Sequence, residues 1–280
     1  MEPLQVLILL MEKFLTIARV VVTGSSGYVG TATTELLINN GYSIIEFDKK
    51  SGNDVRNIFK LFYVSLKKPK AIIHLSAKKS IPESIKNPMS YYLNNLLSSF
   101  FVGIVSRALN IPVVFASSAA VYGPKNPYAK SKLIEEKILK FLCKRLAILR
   151  YFNLVGKTKT IRDENGTNIF SIINNRPSIK INNPDSKRDY VDISDIAKAN
   201  LLAMEYIQNN NFLITDIFTG EQKTMLDVVE EYKKNGYNIS YTVLSLPDVT
   251  VLPNIDNRSS IQWSPGISFA ESIKSEIENQ

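Results

Sequence analysis

Two short stretches of this chain carry residue types that could do chemistry. Residues 128–132 read YAKSK, which sets Tyr128 and Lys132 four positions apart. On a helix two such residues share a face. A phenol is a poor base at neutral pH, and moving its pKa from about 10 to about 7 takes roughly 4 kcal/mol of differential stabilisation. A nearby positive charge favours the phenolate, so the pair reads as a proton acceptor and its tuning cation. Tyr-x-x-x-Lys alone is also an ordinary surface-helix pattern, and its setting decides between the two. It follows VVFASS (113–118), a strand-like run ending in Ser117-Ser118. Ligands of open α/β sheets sit at the C-terminal ends of strands. Ser118 is therefore placed to hydrogen-bond a reacting hydroxyl, its plainer role being a polar strand end.

The second stretch is TGSSGYVG (23–30), directly after the apolar run ARVVV. Gly24, Gly27 and Gly30 are spaced three apart between a strand and a helix that opens near Tyr28. In that setting the first glycine permits a tight turn, the second lets the backbone approach a pyrophosphate, and the third lets helix and strand pack closely. The helix N-terminus adds free N–H groups and a partial positive charge. Asp48 ends the next strand, where a carboxylate can bond adenosine ribose hydroxyls. It favours NAD over NADP, because a 2′-phosphate would meet a like charge, although Lys49 and Lys50 follow it. Asn53-Asp54-Val55 reads as passing beside the adenine, with Asp54 also a candidate N-cap for the helix after it.

These groups need a frame, and the chain supplies one. Strand-like runs at 18–22, 42–47, 71–75, 113–118 and 146–151 alternate with helical patterns at 28–40, 56–66, 89–109 and 128–144. The strands are continuous apolar runs, which suits a parallel sheet covered on both faces. The fold class is α/β, a Rossmann-type doubly wound parallel sheet with a smaller, partly interleaved C-terminal substrate domain. The expected division is an extension at 1–17, a dinucleotide-binding domain at 18–155 to which about 188–205 returns, and a substrate domain at 156–280. Helices are expected there near 193–208 and 224–235.

Composition narrows the classes. The chain has 280 residues, 45% apolar, with a single cysteine, Cys143, and a single histidine, His74. A disulfide framework, a zinc site and a histidine-based triad all lack partners. Cys143 sits in an apolar run and reads as an inert buried thiol in a reducing, cytoplasmic setting. The formal charge of +8 is spread along the chain with no basic stripe interleaved with aromatics, so nucleic acid is not an expected partner. The apolar Leu7–Leu10 segment is too short to span a bilayer and lacks a basic flank, so neither a membrane nor export is expected. Met11 is an alternative start.

Six ordered segments together resemble a known family: the glycine loop, IIHLSA (72–77), SSAAVYG (117–123), YAKSK, RYFNLVG (150–156) and RDYVDISDIAKA (188–199). They are similar to the nucleotide-sugar epimerases of the extended short-chain dehydrogenase/reductase family, nearest to those that interconvert UDP-glucose and UDP-galactose. The tail NIDNRSSIQWSP (254–265) resembles that family's segment ending in Trp-x-Pro. The resemblance implies Tyr128 as base, Lys132 as its partner and ribose ligand, and Ser118 as a substrate contact. It implies NAD contacts from Gly24, Gly27, Tyr28, Val29, Gly30, Asp48, Asp54 and Val55. Leu75, Ser76, Ala77, Lys79, Asn94, Tyr128, Lys132 and Tyr151 complete that set. Substrate contacts would come from Lys79, Ser118, Tyr128, Asn153, Asn168 and Arg188, the last on the diphosphate; Arg188 could instead pair with Asp189 or Asp185. Tyr122, Tyr151 and Phe152 could wall the pocket. The implied reaction is transient oxidation to a 4-keto sugar, which turns over and is reduced on its other face, with a UDP-hexose as partner and a homodimer as assembly.

Departures from the family pattern accompany the likeness. Only GPKNP lies between Tyr122 and Tyr128, and strand two reaches Asp54 by a short connection. An Arg-x-Gly-Asp segment is missing near 245–254. Ala119-Ala120 stand where dehydratase relatives place an acid pair, which disfavours elimination of water. The competing readings are an NADP-dependent reductase of a keto nucleotide-sugar and a non-catalytic dinucleotide-binding protein.

Overall fold

The structure, a computed structural model, describes residues 18–157, 169–175, 178–244, 251–253 and 261–277. Valine-rich β1 (Arg19–Thr23) leads through the glycine loop into α1 (Tyr28–Asn39), and then come β2 (Ser43–Phe47), α2 (Ile58–Ser65) and β3 (Ala71–His74). After them lie α3 (Ile81–Lys86), α4 (Pro88–Leu109), β4 (Val113–Ser118), α5 (Pro127–Leu142) and β5 (Leu146–Tyr151). Next are β6 (Asn153–Val155), α6 (Ile169–Asn175), β7 (Ser178–Asn182), β8 (Arg188–Asp192) and α7 (Ile193–Asn209). The chain closes with β9 (Phe212–Ile217), β10 (Gln222–Lys223), α8 (Met225–Lys234), β11 (Ser240–Leu244) and α9 (Phe269–Ile277).

Six strands form one sheet in the order β2-β1-β3-β4-β5-β9, all pairs parallel. From β1 the chain goes to β2 on one side and to β3 on the other, so the strand order reverses at β1 and opens a crevice there. Strand residues alternate between the two faces. Val20, Val22, Ile73 and Leu149 pack against Leu37 of α1 and Ile196, Ala199 and Ala203 of α7. Val21, Ile72, Phe115 and Ile148 face Leu61 of α2, Val102 and Val105 of α4 and Leu139 of α5. Burial on both faces is what the continuous apolar runs require.

The α/β class expected from the sequence is the fold observed, and the expected strands and long helices stand within about two residues of their places. One strand differs. β9 is the sixth strand of the main sheet, although 156–280 reads as the smaller unit. It is an edge strand with Phe212 and Ile214 exposed, so it lacks the continuous apolar signature of a covered strand. A second core gathers Val155, Phe170, Ile179, Tyr190, Val229, Tyr232 and Phe269 around the small sheets β10-β8-β6 and β11-β7. The expected Trp-x-Pro segment docks on α7: Trp263 Nε1 donates to the Asp195 carbonyl at 2.9 Å, and the Gly266 and Ile267 amides donate to its carboxylate. Among the described residues no helix is long and apolar enough to cross a membrane.

Candidate active site

The glycine loop is held by backbone geometry. Gly24 has φ +72°, and a Cβ there would lie 2.9 Å from the Ser76 amide nitrogen on the neighbouring strand end. A Cβ on Gly30 would stand 2.0 Å from the Gly24 carbonyl oxygen, so α1 packs on its own entry loop. Gly27 is the N-cap of α1, with no capping side chain and no acidic residue in the first turn. The helix therefore starts with orphan N–H groups and an uncompensated positive end, the chemistry a pyrophosphate needs. The loop opens on a cleft of about 580 Å³ lined by Gly24, Gly27, Tyr28, Val29, Gly30, Leu75, Ala77, Lys78, Lys79, Ser80, Glu83 and Leu154. The Tyr28 hydroxyl donates to the Gly156 carbonyl and joins the two lips. The residues present thus fit a dinucleotide.

Asp48 stands at the end of β2, beside this loop. Its carboxylate accepts from the Ser26 amide at 3.4 Å and the Lys50 amide at 2.8 Å. Lys49 turns away to the Asn94 side-chain oxygen at 3.0 Å and stands 3.9 Å from Asp54. Asp54 is clasped by Arg56 at 2.6 Å, and that hydrogen bond holds its carboxyl below the usual range. The helix that follows is capped by Asn57, whose side chain accepts from the Lys60 amide, and not by Asp54 as expected. Val55 is core, buried with Phe47 and Leu61. Asp48, Asp54, Val55, Ser76 and Asn94 do not line the cleft.

Tyr128 lies in the first turn of α5, where two residues fix the start. Asn126 caps the helix by accepting from the Ala129 amide at 2.8 Å, and Pro127 occupies the first helical position. The Tyr128 ring is 9% exposed, and its hydroxyl has no hydrogen-bond partner among the described residues. Ser118 ends β4, and its oxygen accepts from the Ala120 amide at 3.2 Å, which leaves the hydroxyl hydrogen to donate. Lys132 differs from its expected pairing. Its ammonium donates to the Ala116 carbonyl at 3.0 Å and to Glu135 at 2.8 Å, and lies over the Phe115 ring. One of its three donors is left over.

The remaining expected residues are placed as follows. Tyr151 is buried beneath the sheet end, its hydroxyl donating to Asn200 at 2.6 Å, and burial pushes its pKa up. The Tyr122 hydroxyl donates to Asp216 at 2.8 Å and accepts from Arg150 at 2.6 Å. Phe152 packs edge-on against Phe218 in the core. None of these three lines the cleft, and neither do Ser118, Tyr128 and Lys132. Asn153 donates to the Asp189 carbonyl at 3.1 Å. Arg188 contacts the Met225 sulfur, and Asp189, offered as its ion-pair partner, instead accepts from the Thr219 and Gly220 amides. Asn168 lies outside the described residues, as do 245–250 of the segment lacking Arg-x-Gly-Asp. His74 is buried between Thr23 and Ser99, at 2.7 and 3.1 Å, and Cys143 is a free, largely covered thiol whose pKa burial raises to about 11.

Lys78, Ser80, Glu83 and Leu154 line the cleft without having been expected. Ser80 caps α3, accepting from the Glu83 amide, with Pro82 in the first turn. That S-x-P-E run is a helix-start signature visible in the sequence, and it could have located this wall.

The model of the NAD dependent epimerase/dehydratase family matches residues 20–214. The chain belongs to this family. Among its relatives in the family is the UDP-glucose 4-epimerase of Rhizobium leguminosarum bv. trifolii, 28% identical over 91% of this chain and 95% of the relative. The bifunctional protein gal10 of Schizosaccharomyces pombe is also 28% identical, and this chain spans 46% of its length. In fold, the family member resembles a UDP-glucose-4-epimerase from Stenotrophomonas maltophila solved with bound NAD and formylated UDP-arabinopyranose. The TM-score is 0.83 at 20% identity, over 92% of this chain and 96% of that one. A Thermotoga maritima UDP-glucose 4-epimerase with UDP-glucose gives 0.80 at 23% identity, over 93% and 97%.

Proposed function

We propose that this chain interconverts the C4 epimers of a nucleotide-sugar, of the UDP-glucose and UDP-galactose type, with NAD held on the glycine loop. One observation carries the reading: a buried phenol, Tyr128, keeps a hydroxyl without a protein partner among the described residues, in the first turn of the helix that follows the C-terminal end of β4. NAD, when bound, takes up and returns the hydride. The chain's own residues do the rest. Gly24, Gly27 and the start of α1 receive the pyrophosphate, and Asp48 takes the adenosine ribose. Ser118 donates to the sugar 4-hydroxyl or its keto oxygen, and Tyr128 removes and restores the hydroxyl proton. Lys132 has a donor left for a ribose hydroxyl. Arg188, which contacts the Met225 sulfur and the Tyr190 hydroxyl, and Asn153 on the neighbouring strand would meet the diphosphate and sugar.

The reductase reading asks Lys49 or Lys50 to hold an extra phosphate, yet Lys49 is committed to Asn94 and Asp54. We place the enzyme in the cytoplasm, on the evidence of its lone cysteine. We also propose a homodimer through α4 and α5, where Met89, Leu93, Leu97, Phe100 and Phe141 are exposed; a monomer by light scattering would refute it.

The test begins with the purified protein. Its released dinucleotide should be NAD, and it should equilibrate UDP-glucose with UDP-galactose without added reductant. Tyr128→Phe should lower turnover by about 10³-fold, within the range for general acid–base groups, and keep the dinucleotide. Full turnover in that variant refutes the base assignment.

A further inference from the structure

Two consecutive glutamates on α5 are buried, Glu135 at 1% and Glu136 at 3% exposure, and they are used differently. Glu136 engages both oxygens. Arg150 grips it with Nε and Nη2 at 2.9 and 2.7 Å, and the Ser117 hydroxyl donates to it at 2.7 Å. That set docks α5 onto β5 and β4, a structural role. Glu135 uses one oxygen only. Its Oε2 takes the Lys132 ammonium at 2.8 Å, while Oε1 is buried without a partner. Removing a carboxylate from water costs several kcal/mol, and an orphan oxygen adds to that cost. A leucine at this helical position would pack without either cost. Such a locally unfavourable choice points to function.

We propose that Glu135 is a positioning residue: it is the counter-ion that holds Lys132 toward Ala116 and thereby sets the pH at which Tyr128 works as a base. The proposal rests on Tyr128 being that base. A cation near a phenol favours its phenolate, and a carboxylate 2.8 Å from the Lys132 ammonium cancels much of that charge. The charged and titratable groups around this pair are themselves engaged or exposed. On α5, Glu136 is taken by Arg150, while Lys130, Lys137 and Lys140 are exposed. On β3, His74 is neutral, and both burial and the Lys132 charge lower its pKa. On α4 the one charged residue, Arg107, donates to carbonyls at the far end of α5. On α3, Glu83 is held by Lys78 and Tyr91, and Lys86 is exposed. In the turn after β4, Tyr122 lies between Asp216 and Arg150. Burial raises the Glu135 pKa, the Lys132 ammonium opposes that rise, and the neighbouring Glu136 charge adds to it.

The experiment measures the pH profile of kcat/KM with UDP-galactose for the NAD-loaded wild type and Glu135→Gln. The amide keeps an acceptor for Lys132 and removes the charge. The acid limb should move down by about one pH unit, the low end of what a nearby charge does to a pKa. Glu135→Asp, which keeps the charge but retracts it, should move the limb less, and it serves if the glutamine variant does not fold. Ultraviolet titration of the Tyr128 phenol, taken as the difference between each protein and its Tyr128→Phe counterpart, should show the same shift without any substrate. An acid limb and a phenol titration that stay in place, or move upward, overturn the proposal. A uniform loss of activity at every pH does so too, since a purely structural glutamate would give that. If Tyr128→Phe retains full turnover, the base assignment fails instead, a separate outcome.

Discussion

In the loop 23–30 the backbone makes the site, whereas at the start of α5 side chains make it. The loop's conformation follows from what glycine lacks. The absence of Cβ atoms at Gly24 and Gly30 lets β1, the 76 strand end and α1 close to contact distance. Only backbone atoms, those of the loop and of the strand ends at 47 and 76, have to be in place for that geometry to exist. At α5 the helix start is equally well specified, by Asn126 and Pro127, but the chemistry depends on where an ammonium points. The sequence offers the Lys132 ammonium Tyr128 on one side and Glu135 on the other, and the fold gives it Ala116 and Glu135. A backbone site is therefore fixed by local residue type, and a side-chain site by competition among neighbours.

The sharpest break of this contrast is Gly30→Ala. Its Cβ would collide with backbone, which cannot rotate aside, so the helix must lift from the loop. We expect a loss of about 4 kcal/mol or more in urea unfolding, the size that marks a specific steric mechanism. The dinucleotide should be lost with it. A protein of wild-type stability would show that the loop tolerates a side chain and that its glycines are incidental.

The same distinction explains what could be read from the chain. The sheet, its two covered faces and the cradle were legible because each rests on local signals: valine-rich runs, glycine spacing and helix stops at Asn40-Gly41. The placement of Tyr128 was legible because an Asn-Pro start fixes the helix register. The partner of Lys132 was not, since the four-residue spacing to Tyr128 and the three-residue spacing to Glu135 are equally helical. The partners of the Tyr122 and Tyr151 hydroxyls, Asp216 and Asn200, were equally hidden, because they are distant in sequence. β9 was missed because an edge strand need not be apolar on both faces.

His74 ties the glycine-loop strand to α4, bonded to Thr23 of β1 and to Ser99, and it offers a test of middling size. Burial, with the Lys132 charge adding to it, lowers its pKa from 6.5 to about 3. Between those values the unfolded chain binds a proton that the folded chain excludes. Stability therefore rises with pH across that window and is lost as pH falls from about 6.5 toward 3. From pH 7 to 5 this amounts to about 2 kcal/mol. His74→Gln can keep both hydrogen bonds and has no proton to gain. Its stability should fall less than the wild type's over that interval, compared by urea unfolding at both pH values. Equal losses would mean that His74 protonates in the folded state and that the seam between cradle and α4 is wet.

The smallest expected effect falls on Asp54, which belongs to neither kind of site. The resemblance assigns it to the cofactor, yet the structure gives it to Arg56 through two side-chain nitrogens and one amide. The pair is part-exposed, at 41% and 30% of the two side chains, so water screens it. Such pairs contribute about 1 kcal/mol at most. Asp54→Asn should therefore change urea stability by less than about 1 kcal/mol. NAD affinity, followed by quenching of Trp263 fluorescence or by calorimetry, should hardly move, whereas Asp48→Asn in the same assay should weaken it. An equal loss in both variants would put Asp54 back beside the adenine. It would then mean that the Arg56 clasp opens when the dinucleotide arrives, and that side-chain competition governs the cradle as well as α5.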